Sequence, residues 1–261
     1  MRVLLLGDVL SRVGRKALKG SLAAVREKFL VDLCLANVEN AAGMFGITRK
    51  VKNEISRAGV DIMTSGNHIW DNGQGVELLD TDMDILRPAN YPDEAPGKGF
   101  LVMDYNDVQV AVINLQGRIF MPATDCPFRK ADEILGALEN KAKIILVDFH
   151  AEATSEKLAL GFYLDGRVSV VAGTHTHVPT ADQRILEEGT AYQTDIGMVG
   201  PFDSVIGMKK KSVIKRFITG TRQRFSAGGS DPVIQGLCVE IDEETGRAVN
   251  IERVFERVEE E

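Results

Sequence analysis

Cysteine is scarce in this chain of 261 residues, and its copies lie too far apart for the usual cysteine chemistry. Cys34, Cys126 and Cys238 are odd in number and form no CxxC pair. The pattern therefore supports neither a disulfide framework nor a thiolate zinc site. A reduced compartment suits such a chain, and we expect a cytoplasmic protein.

Long apolar runs are also missing. The first apolar run follows a single basic residue, Arg2, and stops at Asp8, which is too short for the core of a signal peptide. No apolar stretch approaches the roughly 20 residues of a membrane-spanning helix. We therefore expect no membrane partner.

Positive charge is in deficit, since 31 basic residues face 38 acidic ones and the net charge is −7. This balance argues against duplex nucleic acid as a partner. One basic stretch stands out because no acidic residue interrupts it: Lys209, Lys210, Lys211, Lys215, Arg216, Arg222 and Arg224. It is typical of a solvated helix face, with a contact to substrate phosphate or to a neighbouring subunit as the alternative.

Short apolar runs alternate with amphipathic segments in the first half of the chain. This alternation is typical of βαβ units around a buried, largely parallel sheet. Strands are predicted over residues 3–7, 33–38 and 60–65, and helices over residues 14–28 and 48–58, the second ending at Gly59.

The later part of the chain adds antiparallel elements. Hairpins are predicted for residues 101–105 with 108–115 and for residues 234–241 with 248–254. Buried strands are predicted over 143–149 and 168–172, and the segment 152–164 between them is predicted to begin as a helix. No repeat, linker or low-complexity segment divides the sequence, so we predict one α/β domain over residues 1–261.

All four histidines lie where a predicted strand ends in a loop, and two carboxylates follow the same rule. A site for two metal ions needs a bridging carboxylate, neutral imidazoles and further oxygens. The candidate ligands are Asp8, Glu39, Asn67, His150, His175 and His177, which leaves His68 for acid-base chemistry. Either Glu39 or Asp8 can form the bridge.

Each candidate ligand also has a simpler interpretation when it is taken alone. Asp8 can cap a helix, Glu39 can belong to a turn, and His150 can be a packed core histidine. Their joint placement favours the metal site. In His175-Thr176-His177 an extended backbone would send the two rings to opposite faces, so joint ligation needs a bend, for which Gly173 is the candidate.

Five short segments carry a resemblance to a known family. They are Gly7-Asp8-Val9, Asn37-Val38-Glu39-Asn40-Ala41, Thr64-Ser65-Gly66-Asn67-His68-Ile69-Trp70-Asp71, Asp148-Phe149-His150-Ala151-Glu152-Ala153-Thr154 and Thr194-Asp195-Ile196-Gly197-Met198. Together with Gly173-Thr174-His175-Thr176-His177, they resemble the YmdB-like bacterial branch of the calcineurin-like metallophosphoesterases. The resemblance implies a two-sheet β-sandwich flanked by helices, a four-layer αββα arrangement, and a dinuclear site that often holds iron.

The chain departs from the wider superfamily at two blocks. Asp8-Val9-Leu10 stands where Asp-x-His is usual, and Glu39 replaces the usual second-block aspartate. One metal thus lacks an imidazole, and Asn40 is the nearest substitute ligand. More oxygen and less nitrogen favours iron or manganese over zinc.

The resemblance also implies the reaction. It implies that a small-molecule 2′,3′-cyclic nucleotide is opened to a 3′-monophosphate and that His68 protonates the leaving oxygen. Asp71, three residues after His68, is a candidate orienting carboxylate, and the alternative for His68 is a surface loop histidine. A phosphatase or nuclease acting on another phosphate ester, and a nucleotide-binding regulatory protein, are the rival functions. Whether the chain forms a homo-oligomer is left open.

Overall fold

Two mixed six-stranded sheets form the centre of the computed structural model, which describes residues 1–139 and 141–258. In chain order the strands are β1 (Arg2–Val9), β2 (Leu33–Asn37), β3 (Ile62–Thr64), β4 (Phe100–Tyr105), β5 (Val108–Gln116), β6 (Ile144–His150), β7 (Val170–Thr174), β8 (Arg184–Ile185), β9 (Ala191–Gln193), β10 (Met198–Pro201), β11 (Pro232–Ile241) and β12 (Ala248–Arg257). The α-helices are α1 (Ser11–Phe29), α2 (Arg49–Ala58), α3 (Gly73–Thr81), α4 (Pro127–Ala137), α5 (Thr154–Tyr163) and α6 (Lys210–Thr219), and a 3-10 helix spans Asn67–Asp71.

The centre of each sheet is parallel. The first sheet has the order β12-β11-β10-β1-β2-β3, in which β10, β1, β2 and β3 run parallel. The second has the order β4-β5-β6-β7-β9-β8, in which β5, β6, β7 and β9 run parallel. Parallel strands deliver the loops at their carboxyl ends to one edge of a sheet, which is where ligands bind in many α/β proteins.

Three apolar cores separate four layers. Along β1, Leu4 and Leu6 face a core shared with α1, α2 and α3, whereas Val3 and Leu5 face the core between the two sheets. A third core lies between the second sheet and helices α4 and α5. Because both faces of β1 are covered, its sequence is a continuous apolar run rather than an alternating one. The predicted α/β fold, a two-sheet sandwich flanked by helices, is confirmed.

The local predictions differ from the structure mainly at element boundaries. Helix α2 begins after Thr48, whose hydroxyl accepts the N–H of Val51, and ends at Gly59 as predicted. Helix α1 begins three residues before the predicted start, because its capping residue Leu10 makes no side-chain hydrogen bond and gives no sequence signal. The first predicted hairpin is present, with Asn106 and Asp107 at positive φ in its turn.

The predicted domain of residues 1–261 stays a prediction, since residues 140 and 259–261 lie outside the described part. The core between the sheets joins strands from both halves of the chain, for example Leu5 and Val112. Among the helices of residues 1–139 and 141–258, none is both long and apolar enough to cross a bilayer.

Candidate functional site

Strand ends bring the predicted ligands together at one edge of the sandwich. Asp8 lies near the end of β1, His150 is the last residue of β6, and Glu39 follows β2 by two residues. All three side chains are buried. Burying two carboxylates costs free energy unless positive charge or hydrogen-bond donors lie close by. The fold therefore buries the carboxylates of Asp8 and Glu39 at this edge, where bound cations would offset their negative charge.

One group of candidate ligands surrounds His177. Its Nε2 lies 3.2 Å from Asn40 Oδ1 and 3.6 Å from Asp8 Oδ1. Its Nδ1 lies 2.9 Å from the carbonyl oxygen of Ile206, so Nδ1 donates there and Nε2 is the nitrogen that faces Asp8 and Asn40. The amide of Asn40 is oriented in the same way, because its Nδ2 donates to the carbonyl of Met44. An imidazole, a carboxylate and an amide oxygen face one point.

A second group surrounds His150. Its Nε2 lies 3.2 Å from Glu39 Oε1 and 3.0 Å from His175 Nδ1. The outer nitrogens have acceptors of their own: His150 Nδ1 lies 3.0 Å from Thr174 Oγ1, and His175 Nε2 lies 3.1 Å from Glu152 Oε2. When the outer nitrogens carry the protons, the inner nitrogens, His150 Nε2 and His175 Nδ1, turn lone pairs toward each other beside the carboxylate of Glu39. Such a cluster is stable when a proton or a cation lies between its members.

Two buried oxygens without partners test whether metal ions fit this site. Asp8 Oδ1 and Asn67 Oδ1 are both excluded from solvent and accept no hydrogen bond. An unpaired buried oxygen costs free energy, and a bound cation would give both atoms a partner. Both residues are predicted ligands, and both belong to a donor set of oxygens and imidazole nitrogens that suits divalent or trivalent metals. The residues present therefore fit the ions that the sequence predicts.

The electrostatics of the site show the same demand for positive charge. Burial disfavours the charged form of His177, but the carboxylate of Asp8 outweighs it and raises the pKa of His177 to about 9. Burial likewise opposes ionisation of Asp8, yet His177 and His150 hold the pKa of that carboxyl well below its usual range. For His175, burial and then the neighbouring His150 lower the pKa to about 3, so its ring is neutral. The carboxylate of Asp8 thus favours positive charge beside it, and a bound cation would supply that charge.

The bend between His175 and His177 does not come from Gly173. Both histidines have positive φ, 99° and 62°, so the loop turns at the candidate ligands themselves. Gly173 instead continues strand β7 opposite Phe149, and a Cβ on it would lie 1.8 Å from the carbonyl oxygen of Thr194. The role predicted for Gly173 was wrong, because strand packing and not a turn requires the glycine.

Asp148 lies behind the ligands and supports them, a role that was not predicted from the sequence. It accepts hydrogen bonds from Asn37, Thr64 and Thr174, the last at 2.7 Å. Burial raises the pKa of Asp148 to about 6. Since the hydroxyl of Thr174 donates its hydrogen bond to Asp148, its oxygen can accept one from His150 Nδ1. The position of Asp148 two residues before His150 on one strand was the only local signal.

The ion pair of Lys157 and Asp195 also stabilises the site, and this role was not predicted from the sequence. Their buried ion pair measures 2.8 Å from Nζ to Oδ2. Asp195 Oδ2 also accepts from the backbone N–H of Thr176 at 3.1 Å and from its hydroxyl at 2.8 Å. The pair thus holds the residue between His175 and His177.

His68 lies at the rim of the site, half-exposed. Its Nδ1 lies 2.7 Å from Asp71 Oδ2, which is the contact expected of an orienting carboxylate. Its backbone N–H donates to Glu39 Oε2 at 2.8 Å, so the ring is tied to the buried ligands through its own main chain. Nε2 of His68 faces neither of these groups. The ring of His68 is thus more exposed than those of His150 and His177, and its acid-base role stays a prediction.

A separate cavity of about 490 Å³ lies away from the candidate ligands, at the β4 edge of the second sheet. It contains the buried Arg87, whose guanidinium donates to the carbonyls of Pro88 and Ala89 and so supports the loop before β4. None of the histidines lines it.

Comparison with known proteins adds three findings. The model of the family described as "YmdB-like protein" matches residues 4–254. A Bacillus subtilis protein named 2′,3′-cyclic-nucleotide 2′-phosphodiesterase is 46% identical over 255 residues, which cover 98% of this chain and 97% of that protein. A crystal structure from Mycoplasma pneumoniae, described as a novel phosphatase, is 35% identical with a TM-score of 0.93 and covers 98% of this chain and 93% of its own.

A more distant likeness concerns the fold alone. The NAD nucleotidase of Haemophilus influenzae matches with a TM-score of 0.61 and 16% identity, over 99% of this chain and 56% of the nucleotidase. The two-sheet architecture thus recurs at low sequence identity.

Proposed function

The chain belongs to the YmdB-like family, and from this premise we propose that it is a metal-dependent phosphodiesterase that opens 2′,3′-cyclic nucleotide monophosphates to 3′-monophosphates. It is a hydrolase, and the Bacillus subtilis relative carries the name of this reaction. The observation that carries the proposal is the orientation of three histidines, of which His150 and His177 are buried and His175 is partly buried. Each has its outer nitrogen hydrogen-bonded to an acceptor and its inner nitrogen turned toward a carboxylate or a second imidazole.

Seven residues would hold two metal ions in this proposal. Asp8, Asn40 and His177 would bind one ion, Asn67, His150 and His175 the other, and Glu39 would lie between them. When bound, the two ions would neutralise the phosphate oxygens and lower the pKa of water enough to supply a nucleophile near neutral pH. Four oxygen ligands beside three nitrogens favour iron, with manganese as the alternative.

His68 would act as the general acid. Asp71 accepts from Nδ1 and fixes the plane of the ring, which leaves Nε2 to give its proton to the leaving oxygen. A water oxygen would form a bond to phosphorus from the opposite side and release one proton to solvent, while the bond from phosphorus to the ribose 2′-oxygen breaks. The proton from Nε2 goes to the 2′-oxygen, and the 3′-monophosphate remains. In-line attack places the water and His68 on opposite sides of the phosphorus.

The buried cysteines support a cytoplasmic location within the same proposal. Cys34 and Cys238 are free and buried, and burial raises the pKa of the Cys238 thiol to about 11. Thiols of this kind stay protonated and react slowly, as suits a reducing compartment.

The test is turnover of 2′,3′-cyclic AMP by metal-loaded protein, with the product read by phosphorus NMR. We expect the 3′-monophosphate alone, because a substrate held in one orientation presents only its 2′-oxygen to His68. A mixture of 2′- and 3′-monophosphates would contradict that orientation. Release of phosphate from monoesters without opening of the cyclic ester would instead favour a phosphatase, and tight binding without turnover would favour a regulatory protein.

A further inference from the structure

The chemistry of the leaving group limits where the nucleobase can lie, if the proposed function is correct. In a nucleoside 2′,3′-cyclic phosphate, the 2′-oxygen that leaves is bonded to C2′, and the base is attached to the adjacent C1′. The base therefore lies only a few bonds from the oxygen that His68 protonates. Any group that recognises the base must lie close to the ring of His68.

Phe45 is an aromatic side chain that contacts His68 directly. Its ring centroid lies 4.7 Å from that of His68, and the two planes are inclined at 55°. Phe45 is 43% exposed, so part of its apolar ring faces solvent. Single exposed apolar side chains are common on protein surfaces, so the contact with His68, and not the exposure alone, distinguishes Phe45. The flat ring offers a free surface at the rim of the site.

The loop that carries Phe45 is fixed by hydrogen bonds to the site. The carbonyl of Met44 accepts from Asn40 Nδ2 at 2.9 Å, and the N–H of Ala42 donates to the carbonyl of Gly46 at 3.0 Å. Met44 itself has a φ of 140°, a conformation that side-chain-bearing residues rarely adopt. A predicted metal ligand, Asn40, thus holds the backbone next to Phe45. The hydrogen bond from Asn40 to Met44 therefore fixes the position of the Phe45 ring relative to the candidate ligands.

We propose that Phe45 is the platform on which the nucleobase of the substrate stacks. The ligand class is a purine or pyrimidine base attached to a ribose 2′,3′-cyclic phosphate. Stacking on an aromatic ring tolerates every base, because each base has a π face, and a purine covers a larger area than a pyrimidine. Phe45 is then a substrate-binding residue, which lowers KM for nucleotides and orients the 2′-oxygen toward His68.

The experiment compares two substrates with the same strained ring. One is 2′,3′-cyclic AMP and the other is glycerol 1,2-cyclic phosphate, which has no base. In the metal-loaded protein, Phe45→Ala should raise KM for the nucleotide about 5- to 100-fold, the range that one lost base-aromatic stack implies. The same variant should leave kcat/KM for the glycerol ester within about 3-fold of wild type, since that substrate never contacts the ring.

Matched variants separate stacking from other roles of the ring. Phe45→Trp should retain the low KM and Phe45→Leu should lose it, because leucine keeps apolar contact but has no flat face. Phe217→Ala is the control, because it removes a phenylalanine on α6 that is 82% exposed. This variant should leave KM and kcat unchanged for both substrates. Equal losses on both substrates for Phe45→Ala would overturn the proposal and show that the ring only packs against His68.

A binding measurement makes the test independent of turnover. Calorimetric titration of wild type and Phe45→Ala with adenosine 3′-monophosphate and with glycerol 2-phosphate should show a loss of affinity for the nucleotide alone. Unchanged nucleotide affinity would overturn the proposal even if catalysis fell. If wild type opened neither cyclic ester, the proposed function would fail, while the difference in nucleotide affinity between wild type and variant would still decide the role of Phe45.

Discussion

Lys157 and Asp195 form an ion pair in which both side chains are only 1% exposed, and the carboxylate of this pair also binds the loop that carries His175 and His177. The lysine lies on α5 and the aspartate follows β9. The candidate ligands are therefore held by a charge pair that itself has no contact with solvent. Removing one partner would leave the other charged, buried and unpaired.

Lys157→Met should accordingly destabilise the protein by about 3–5 kcal/mol, because the carboxylate of Asp195 loses its counter-charge. The free energy of unfolding from urea denaturation measures this effect. Lys28→Met is the control, since Lys28 pairs with Glu256 at the surface and such pairs are worth about 1 kcal/mol or less. Similar losses in both variants would mean that burial of the Lys157 pair has no energetic consequence.

Glu39→Gln should lose most activity while the fold survives. A carboxylate can offer one oxygen to each of two cations and so screen their repulsion, whereas the amide of glutamine carries no charge to do so. Steady-state turnover together with circular dichroism measures both parts of the prediction. Turnover near that of wild type, with both metals retained, would show that Asp8 or water forms the bridge.

His68→Ala and His150→Ala should have different consequences. The first should keep its metals and lose rate by about 10²- to 10⁴-fold, the usual contribution of a general acid. The second should lose metal at one site, since His150 Nε2 lies among the buried ligands. Elemental analysis beside turnover separates the two effects. Equal metal loss in both variants would contradict the division of roles.

Gly66→Ala should reduce metal content although it replaces none of the candidate ligands. A Cβ at position 66 would lie 2.1 Å from Cδ2 and 2.2 Å from Nε2 of His150, so the ring would have to move. Gly20→Ala is the matched control, because nothing lies within 4 Å of a Cβ there and it sits inside α1. We expect that control to keep full metal content and to gain up to about 1 kcal/mol of stability. Full metal content in Gly66→Ala would show that His150 has room to move.

Two metal ions per chain are expected, since the ligand set is too large for one tetrahedral site. Elemental analysis of untagged, anaerobically purified protein checks the number and identity of the ions. Removal with a chelator should abolish turnover and lower the melting temperature, because bound ions stabilise the native state. A fully active preparation with one ion or none would disprove the dinuclear site.

Much of the site was predictable because its residues follow buried strands in the sequence. Asp8, Glu39 and His150 each lie at or just after such a strand, and strand ends are recognised from apolar runs alone. The bend at His175 was assigned to the wrong residue, since glycine is the usual signal for a turn and two histidines at positive φ are not.

The sequence by itself determined the class of fold and the kind of atoms at the site, because strand periodicity and ligand chemistry are properties of short segments. Only the tertiary structure decided which atoms meet. Asp8 Oδ2 accepts from the backbone N–H of His175, a contact between residues 167 positions apart. The hydrogen-bonded nitrogen of each histidine, the Lys157–Asp195 pair and the tilted ring contact of Phe45 with His68 likewise depend on contacts between distant segments, which no local pattern encodes.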